Sequence, residues 1–426
     1  MYTRELSQTI LGSFNTRDII FLLGTRQTGK TTLSHLLAKE SDYTQEHTHY
    51  YDLEDKGHRE LFNTATLASL EQIFRLEGID VSVPQLIIFD EVQLLSDPAN
   101  LVKLLHDHFP TLKIIATGSS SLQIKSKFSD SLAGRKRVYL VEPLSFDEFL
   151  LFRGEEKLLR LRTILREEGF NTTLEKLIKA SHSYYLAIFE EYLIYGGYPE
   201  VVLIDKREDK LQKLDSIASS YIQKDIREIA NIENLSAYNN LLKYLSVNAG
   251  NQFNLSSAQE TVGVSSVTLN RYLTLLQETF IIAELPPFFT NRNKEISKSK
   301  KYFYKDSGIN NLFLQNFNSL DIRSDAGSLY ETYVFNTLVR GQDITRSTYF
   351  YRTQSKSEVD FIQVQDAEYT LLEVKAGKHQ RIPRAMTEFE KKYQDQCKIT
   401  NKTIINKSVY EQRDGVTFLP AYCLVV

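Results

Sequence analysis

The chain has 426 residues, 42% of them hydrophobic and 25% charged, with a formal net charge of -3. Such a length exceeds one ordinary core and predicts two to four domains, while the near-average composition excludes disordered and fibrous classes. The small negative charge excludes a globally basic nucleic-acid binder, so any such contact has to come from local patches. Only two cysteines occur, Cys397 and Cys423, without the spacing or histidine neighbours of a metal site. His47, His49 and His58 lie close together without cysteines or a helical spacing, and no zinc site is assigned to them. The N-terminal MYTRELSQTILGSF has no signal-peptide core, and the longest apolar runs, such as IIFLL and LIIF, are strand-sized. The reading is a cytoplasmic chain with no membrane span.

From about Ile19 to Leu144, the apolar runs DIIFLLG, HYYDLED, QLIIFDE, KIIATGS and RVYLVE alternate with helical stretches. That alternation predicts a parallel sheet covered by helices. The string GTRQTGKT, Gly24 to Thr31, matches G-x-x-x-x-G-K-[ST] between an apolar strand and the helix TTLSHLLAKE. Such a loop binds nucleotide phosphates, and ATP with Mg²⁺ is the expected ligand pair. Gly24, Thr25, Arg26, Gln27, Thr28 and Gly29 form its backbone cradle, continued by Thr32 on the helix. Lys30 is expected on the β and γ oxygens, and Thr31 on Mg²⁺.

A buried strand ending in carboxylates should complete such a site, and PQLIIFDEVQ provides Asp90 for the Mg²⁺ shell and Glu91 for the attacking water. On the next strand, Thr117 or Ser119 is the candidate γ-phosphate sensor, with helix capping as the competing role. Arg135 and Arg137 in LAGRKRVYL are candidates for a cation that neutralises transition-state charge.

After Pro143 the pattern turns helical, through LSFDEFLLF and EEKLLRLRTILREEGF, until YGGYPEVV marks a turn at Gly196 and Gly197. Between Leu235 and Pro287, three helical stretches precede a strand. Gly263 falls between the second and third helices, and Ser265 or Ser266 is placed to cap the third. This is the pattern of a helix-turn-helix with a wing, or of an ordinary helical module. The final unit opens with the helix AGSLYETYVFNTLVRG and continues through strands STYFYRT, SEVDFIQV and YTLLEVK, a helix from about Arg384 and two further short strands.

GTRQTGKTTL, LIIFDEVQ, ATGSSS, LAGR, EPLSFDEF, YGGYPE and YIQKDI recur in that order, so nearly the whole chain resembles bacterial and archaeal AAA-type ATPases that carry a C-terminal DUF4143 domain. Thr25 and Thr28 depart from the Pro and Val expected in that family's loop, at positions that bear no ligand. The resemblance implies an α/β chain in four parts. These are an AAA-type P-loop ATPase over 1–150, a helical lid or linker over 151–234, a winged-helix-like domain over 235–322 and a DUF4143 domain over 323–426. The last is similar to restriction-endonuclease-like, PD-(D/E)xK nucleases. In such ATPases a finger acts across a subunit boundary, which implies a homo-oligomer and points to Arg135.

The C-terminal residues bear on that comparison. Asp360, Glu373 and Lys375 lie on adjacent strand candidates, Glu373 and Lys375 share a strand face, and Glu331 on the preceding helix is placed to close the set. Carboxylates so grouped bind Mg²⁺ or Mn²⁺, and a neighbouring lysine activates water against a phosphodiester. If buried, they also demand a cation or a raised pKa. Lys378, His379, Arg381 and Arg384 are candidate phosphate contacts, and Lys298, Lys300 and Lys301, interleaved with Tyr302, Phe303 and Tyr304, form a candidate nucleic-acid surface or a core strand. Two functions stay open: an ATPase acting on DNA with a metal-dependent nuclease domain, and a slow switch ATPase that holds a protein partner through a silent C-terminal domain.

Overall fold

The computed structural model describes residues 2–119, 134–169, 172–229, 232, 234–289, 299–341, 345–353, 357–377 and 381–425. The chain folds into two compact units. Met1–Glu142, Ser219–Asn231 and Glu278–Phe280 form the first, and Pro143–Ala218, Ile232–Gln277 and Ile281–Val426 the second.

The first unit is built on strands β1 (Ile19–Leu23), β2 (Thr48–Asp52), β3 (Gln85–Asp90), β4 (Leu112–Gly118) and β5 (Lys136–Leu140). All pair in parallel, in the order β2-β3-β4-β1-β5. Each matches an apolar run expected from sequence. A sheet covered on both faces has no polar side to alternate with, so β1, β3 and β4 are buried throughout. Phe21, Ile87, Phe89 and Ile114 enter the core on one face, while Ile20, Leu22, Ile88 and Ile115 enter the other against the helix Lys30–Glu40. The segment Ser219–Asn231 joins this unit, and its wide helical turn Tyr221–Ile229 carries a buried Tyr221 hydrogen-bonded to Thr279 at 3.0 Å.

In the second unit a six-stranded sheet runs in the order β12-β13-β11-β10-β9-β8, built from β8 (Arg346–Arg352), β9 (Glu358–Gln365), β10 (Glu368–Lys375), β11 (Lys398–Asn406), β12 (Glu411–Arg413) and β13 (Val416–Pro420). Three strands therefore follow the helix Arg384–Tyr393 where two were expected; β12 is only three residues long and too short to show an alternating pattern. One apolar core runs from Phe146, Phe149 and Phe189 to Tyr333 and Phe335 on the helix Ala326–Val339 and Phe361 on β9. The helical segment after Pro143 thus shares its core with the C-terminal sheet.

The turn in YGGYPE has a long-range cause. A Cβ on Gly196, whose φ is +77°, would fall 2.3 Å from the Asp306 carboxylate, and one on Gly197 would fall 2.4 Å from the Leu144 carbonyl. Asp306 accepts hydrogen bonds from the Gly197 amide at 2.7 Å and the Ile309 amide at 2.9 Å. Burial outweighs these amides and pushes its pKa up to about 6.

Helices Leu235–Val247, Leu255–Val262 and Ser266–Glu278 precede an antiparallel hairpin of β6 (Ile282–Leu285) and β7 (Lys301–Tyr304). Gly263 holds the left-handed turn between the second and third helices, and the Ser265 hydroxyl caps the third by accepting from the Thr268 amide at 3.2 Å. β7 is a core strand. Phe303 and Tyr304 are buried with Lys301, so of the two readings of this run the core strand is the one observed, and the nucleic-acid surface is not. Lys300 pairs with Glu284 at 2.6 Å, and Lys298 lies outside the described residues. Among those residues, no helix is long and apolar enough to cross a membrane.

Candidate nucleotide-binding site

Parallel strands present their C-terminal ends to one edge, and the loop after β1 and the carboxylates ending β3 meet there. Gly24 is required by contact, since a Cβ would lie 2.1 Å from the Val141 carbonyl oxygen. Gly29, at φ +91°, forms the N-cap of the helix from Lys30. Gln27 is also left-handed, at φ +63°, and its Oε1 is buried without a hydrogen-bond partner. The Lys30 ammonium folds back to donate to the Gly24 and Thr25 carbonyls at 3.0 and 2.9 Å. The two departures from the family's loop are buried, and the Thr28 hydroxyl braces the Thr25 carbonyl at 3.0 Å. Arg26 lies 3.7 Å from Glu54, which Lys224 of YIQKDI approaches at 3.5 Å. Thr31 and Thr32 are exposed on the first turn of the helix.

Asp90 is the hub. Its Oδ2 accepts from the Thr31 hydroxyl at 2.7 Å and from the Tyr50 hydroxyl at 2.7 Å, and its Oδ1 accepts from Thr117. Burial, reinforced by this acceptor, raises the Tyr50 pKa, so the phenol remains a donor. Thr117 also accepts from the Glu91 amide at 3.0 Å, which ties the expected sensor position to both acids. Glu91 adopts φ +56°, and its carboxylate accepts from the Gln93 amide, which also donates to Ser119 at 3.2 Å. A neutral hydroxyl beside a carboxylate at a helix N-terminus, with a lysine as the first residue of that helix, is a donor set that fits a Mg²⁺–triphosphate.

Arg135 and Arg137 lie elsewhere. The Arg135 carbonyl receives the Ile19 amide at the start of β1, so both arginines sit at the end of the sheet opposite the loop. Arg135 is 3.3 Å from Asp107, and Arg137 pairs with Asp18 at 2.6 Å. Neither reaches Lys30 within one chain. Sequence reasoning also missed Arg4, which donates to the Thr28 and Glu142 carbonyls at 2.9 and 2.8 Å, and it missed Tyr50 and Gln93. Tyr50, paired with Ile88 two residues before Asp90 on the neighbouring strand, was the most legible of these three.

The C-terminal residues are brought together differently. Asp360 accepts from the Val374 amide at 2.8 Å, Glu373 accepts from Lys375 at 2.6 Å, and Glu331 faces them from its helix. Burial followed by the Asp360 charge pushes the Glu331 pKa up to about 8 and that of Glu373 up to about 7. Among the described residues, no three His, Cys, Asp or Glu side chains are arranged to hold a metal ion. Instead Lys301 enters the cluster from β7, paired with Glu358. Arg381 is exposed, Arg384 pairs with Glu388 at 2.7 Å, and Lys378 and His379 lie outside the described residues.

A five-stranded parallel sheet with this loop and these acids at its C-terminal edge defines a P-loop nucleotide-binding unit. Residues 16–150 match the family described as AAA domain, residues 186–320 a domain of unknown function, DUF8612, and residues 326–424 the domain of unknown function DUF4143. The chain thus carries an AAA nucleotide-binding ATPase domain and a C-terminal DUF4143 domain. It is similar to the uncharacterized protein MJ1544 of Methanocaldococcus jannaschii, 26% identical over 80% of this chain and 71% of that one. An uncharacterized protein of Haemophilus influenzae is 26% identical over 72% of each. The solved structure of C. elegans PCH-2 shares 17% identity over 40% of this chain and 50% of that one at a TM-score of 0.28, which is too low to carry an argument.

Proposed function

We propose that the chain is a Mg²⁺-dependent ATPase that works as a gated switch, with its second unit holding a protein partner. The observation that carries this reading is the hydrogen bond from Gln93 to the Glu91 carboxylate, which occupies the group expected to orient the attacking water. Lys30 would leave the loop carbonyls for the β and γ oxygens, and Thr31 and Asp90 would hold Mg²⁺, which neutralises phosphate charge. Thr117, bonded to both Asp90 and Glu91, is the better placed sensor, and Ser119 the partner that retains Gln93. Gln93→Ala should raise basal phosphate release several-fold at unchanged nucleotide affinity; an unchanged or lower rate would count against gating.

Arg135, at the far end of the sheet, serves this site only from a second copy, so the reading includes a homo-oligomer. Mixing Arg135→Ala with Lys30→Ala protein should restore part of the activity each lacks, and no recovery at any mixing ratio removes the shared site. The four-part division at 150, 234 and 322 and a cytoplasmic location belong to the same proposal.

A second reading, action on DNA, is favoured by the three helices and hairpin of 235–304. Against it, the third helix, SVTLNRYLTLLQE, carries one basic residue, Arg271. Salt-sensitive binding of duplex DNA by the full chain, with or without ATP, would reverse the preference. Metal-dependent nicking through Asp360, Glu373 and Lys375 would extend it to the nuclease reading.

A further inference from the structure

We infer that the Lys301 ammonium is the built-in counter-ion of the C-terminal carboxylate cluster, filling the charge-neutralising role that a divalent metal would take and closing the cluster to phosphodiesters. The inference is independent of the nucleotide site.

The cluster gathers Glu331 from the helix Ala326–Val339, Glu358 and Asp360 from β9, and Glu373 from β10. Carboxylates this close cannot all stay ionised in a buried pocket without a cation. Three bases face them. Lys301 pairs with Glu358, Arg352 lies 3.4 Å from the same carboxylate, and Lys375 lies 2.6 Å from Glu373. Four acids against three bases leave one negative charge, and a proton retained on Glu331, whose pKa burial raises, closes the balance.

Lys301 is the interior member of the three. It is 3% exposed, its ammonium lies 5.2 Å from the Phe350 ring centroid, and the charges of Glu331, Glu358 and Asp360 all hold it in its protonated form. A divalent ion placed among the same carboxylates would face a fixed positive charge in a medium of low dielectric. Access to its inner carboxylates is narrow as well, although Glu331 and Glu358 are only half-buried. Asp360 and Glu373 are 8% and 4% exposed. A Cβ on Gly250 would come within 2.9 Å of Glu331 Oε2 and 3.1 Å of the Phe303 ring, so the turn after the helix Leu235–Val247 lies directly on the cluster. Backbone hydrogen bonds from Gly250 to Tyr302 at 3.1 Å and from Phe253 to Lys300 at 2.8 Å fix that cover to β7.

Mn²⁺ binding to the full chain without nucleotide, read by loss of the free-ion electron paramagnetic signal, tests the assignment. The parent and Asp360→Asn should bind Mn²⁺ equally, because Asp360 is already neutralised. Lys301→Met, which keeps the stem against Phe350 and removes the charge, should gain one site per chain at least tenfold tighter than any in the parent. Adding Asp360→Asn to that variant should abolish the gain, and Lys301→Arg should behave as the parent. A parent site that Asp360→Asn removes would overturn the inference, as would a folded Lys301→Met chain without the gain. If circular dichroism shows Lys301→Met unfolded, the comparison of the parent with Asp360→Asn decides alone: equal binding supports the internal counter-ion and weakened binding overturns it.

Discussion

Lys30→Ala is expected to lower ATP affinity by about 100-fold or more, while Glu91→Gln keeps affinity within a few-fold and reduces turnover by roughly 10²–10⁴-fold. The two residues sit on the same edge of the sheet but act on different atoms. The Lys30 ammonium, now held by the Gly24 and Thr25 carbonyls, is a buried positive charge inside the loop. Glu91 follows the last residue of β3, and its carboxylate reaches Gln93 rather than the loop. Titration with a fluorescent ATP analogue and a phosphate-release assay separate these effects. An alanine variant that binds as tightly as the parent would remove the phosphate-loop assignment.

Asp306→Ala should cost on the order of 3 kcal/mol near pH 5 and less near pH 8. The Asp306 carboxylate satisfies the buried Gly197 and Ile309 amides, which the alanine would leave without an acceptor. Its folded pKa, about 6, lies above the ordinary carboxylate value of 3.8. The folded state therefore binds the proton more tightly, and this group's contribution is complete below about pH 4 and lost as pH rises through 6. Glu331 and Glu373, also raised, add slopes of the same sign, so the variant should flatten the pH profile without abolishing it. Urea unfolding of parent and variant at both pH values measures this; a cost that grows with pH would contradict it.

What was legible in the sequence was what local patterns encode. The strands of the first sheet are buried on both faces, so β1, β3 and β4 are continuous apolar runs, and the loop's glycines and lysine are fixed by the geometry of phosphate binding. What remained hidden depends on pairs far apart in the chain. YGGYPE is visibly a turn, yet its glycines answer to Asp306, 109 residues beyond Gly197. Lys301 in KKYFY looks like a surface charge until the pairing of β6 with β7 turns it inward toward Glu358. The demand for a cation among the C-terminal acids was readable from charge alone. Its source was not, because nothing within a few residues of Asp360 or Glu373 points to β7.

The first unit is not contiguous along the chain. Its sheet ends at β5, yet Tyr221 and Ile226, both buried, and Thr279, the hydrogen-bond partner of Tyr221, come from short returns of the chain after long excursions. Truncation after residue 150 would therefore amputate part of the ATPase's own interior, exposing apolar surface that the excised pieces cover. Biochemical dissection of the nucleotide cycle is better done by point substitution in the 426-residue chain than on an N-terminal fragment, whose inactivity or aggregation would report a missing piece of interior rather than a missing function.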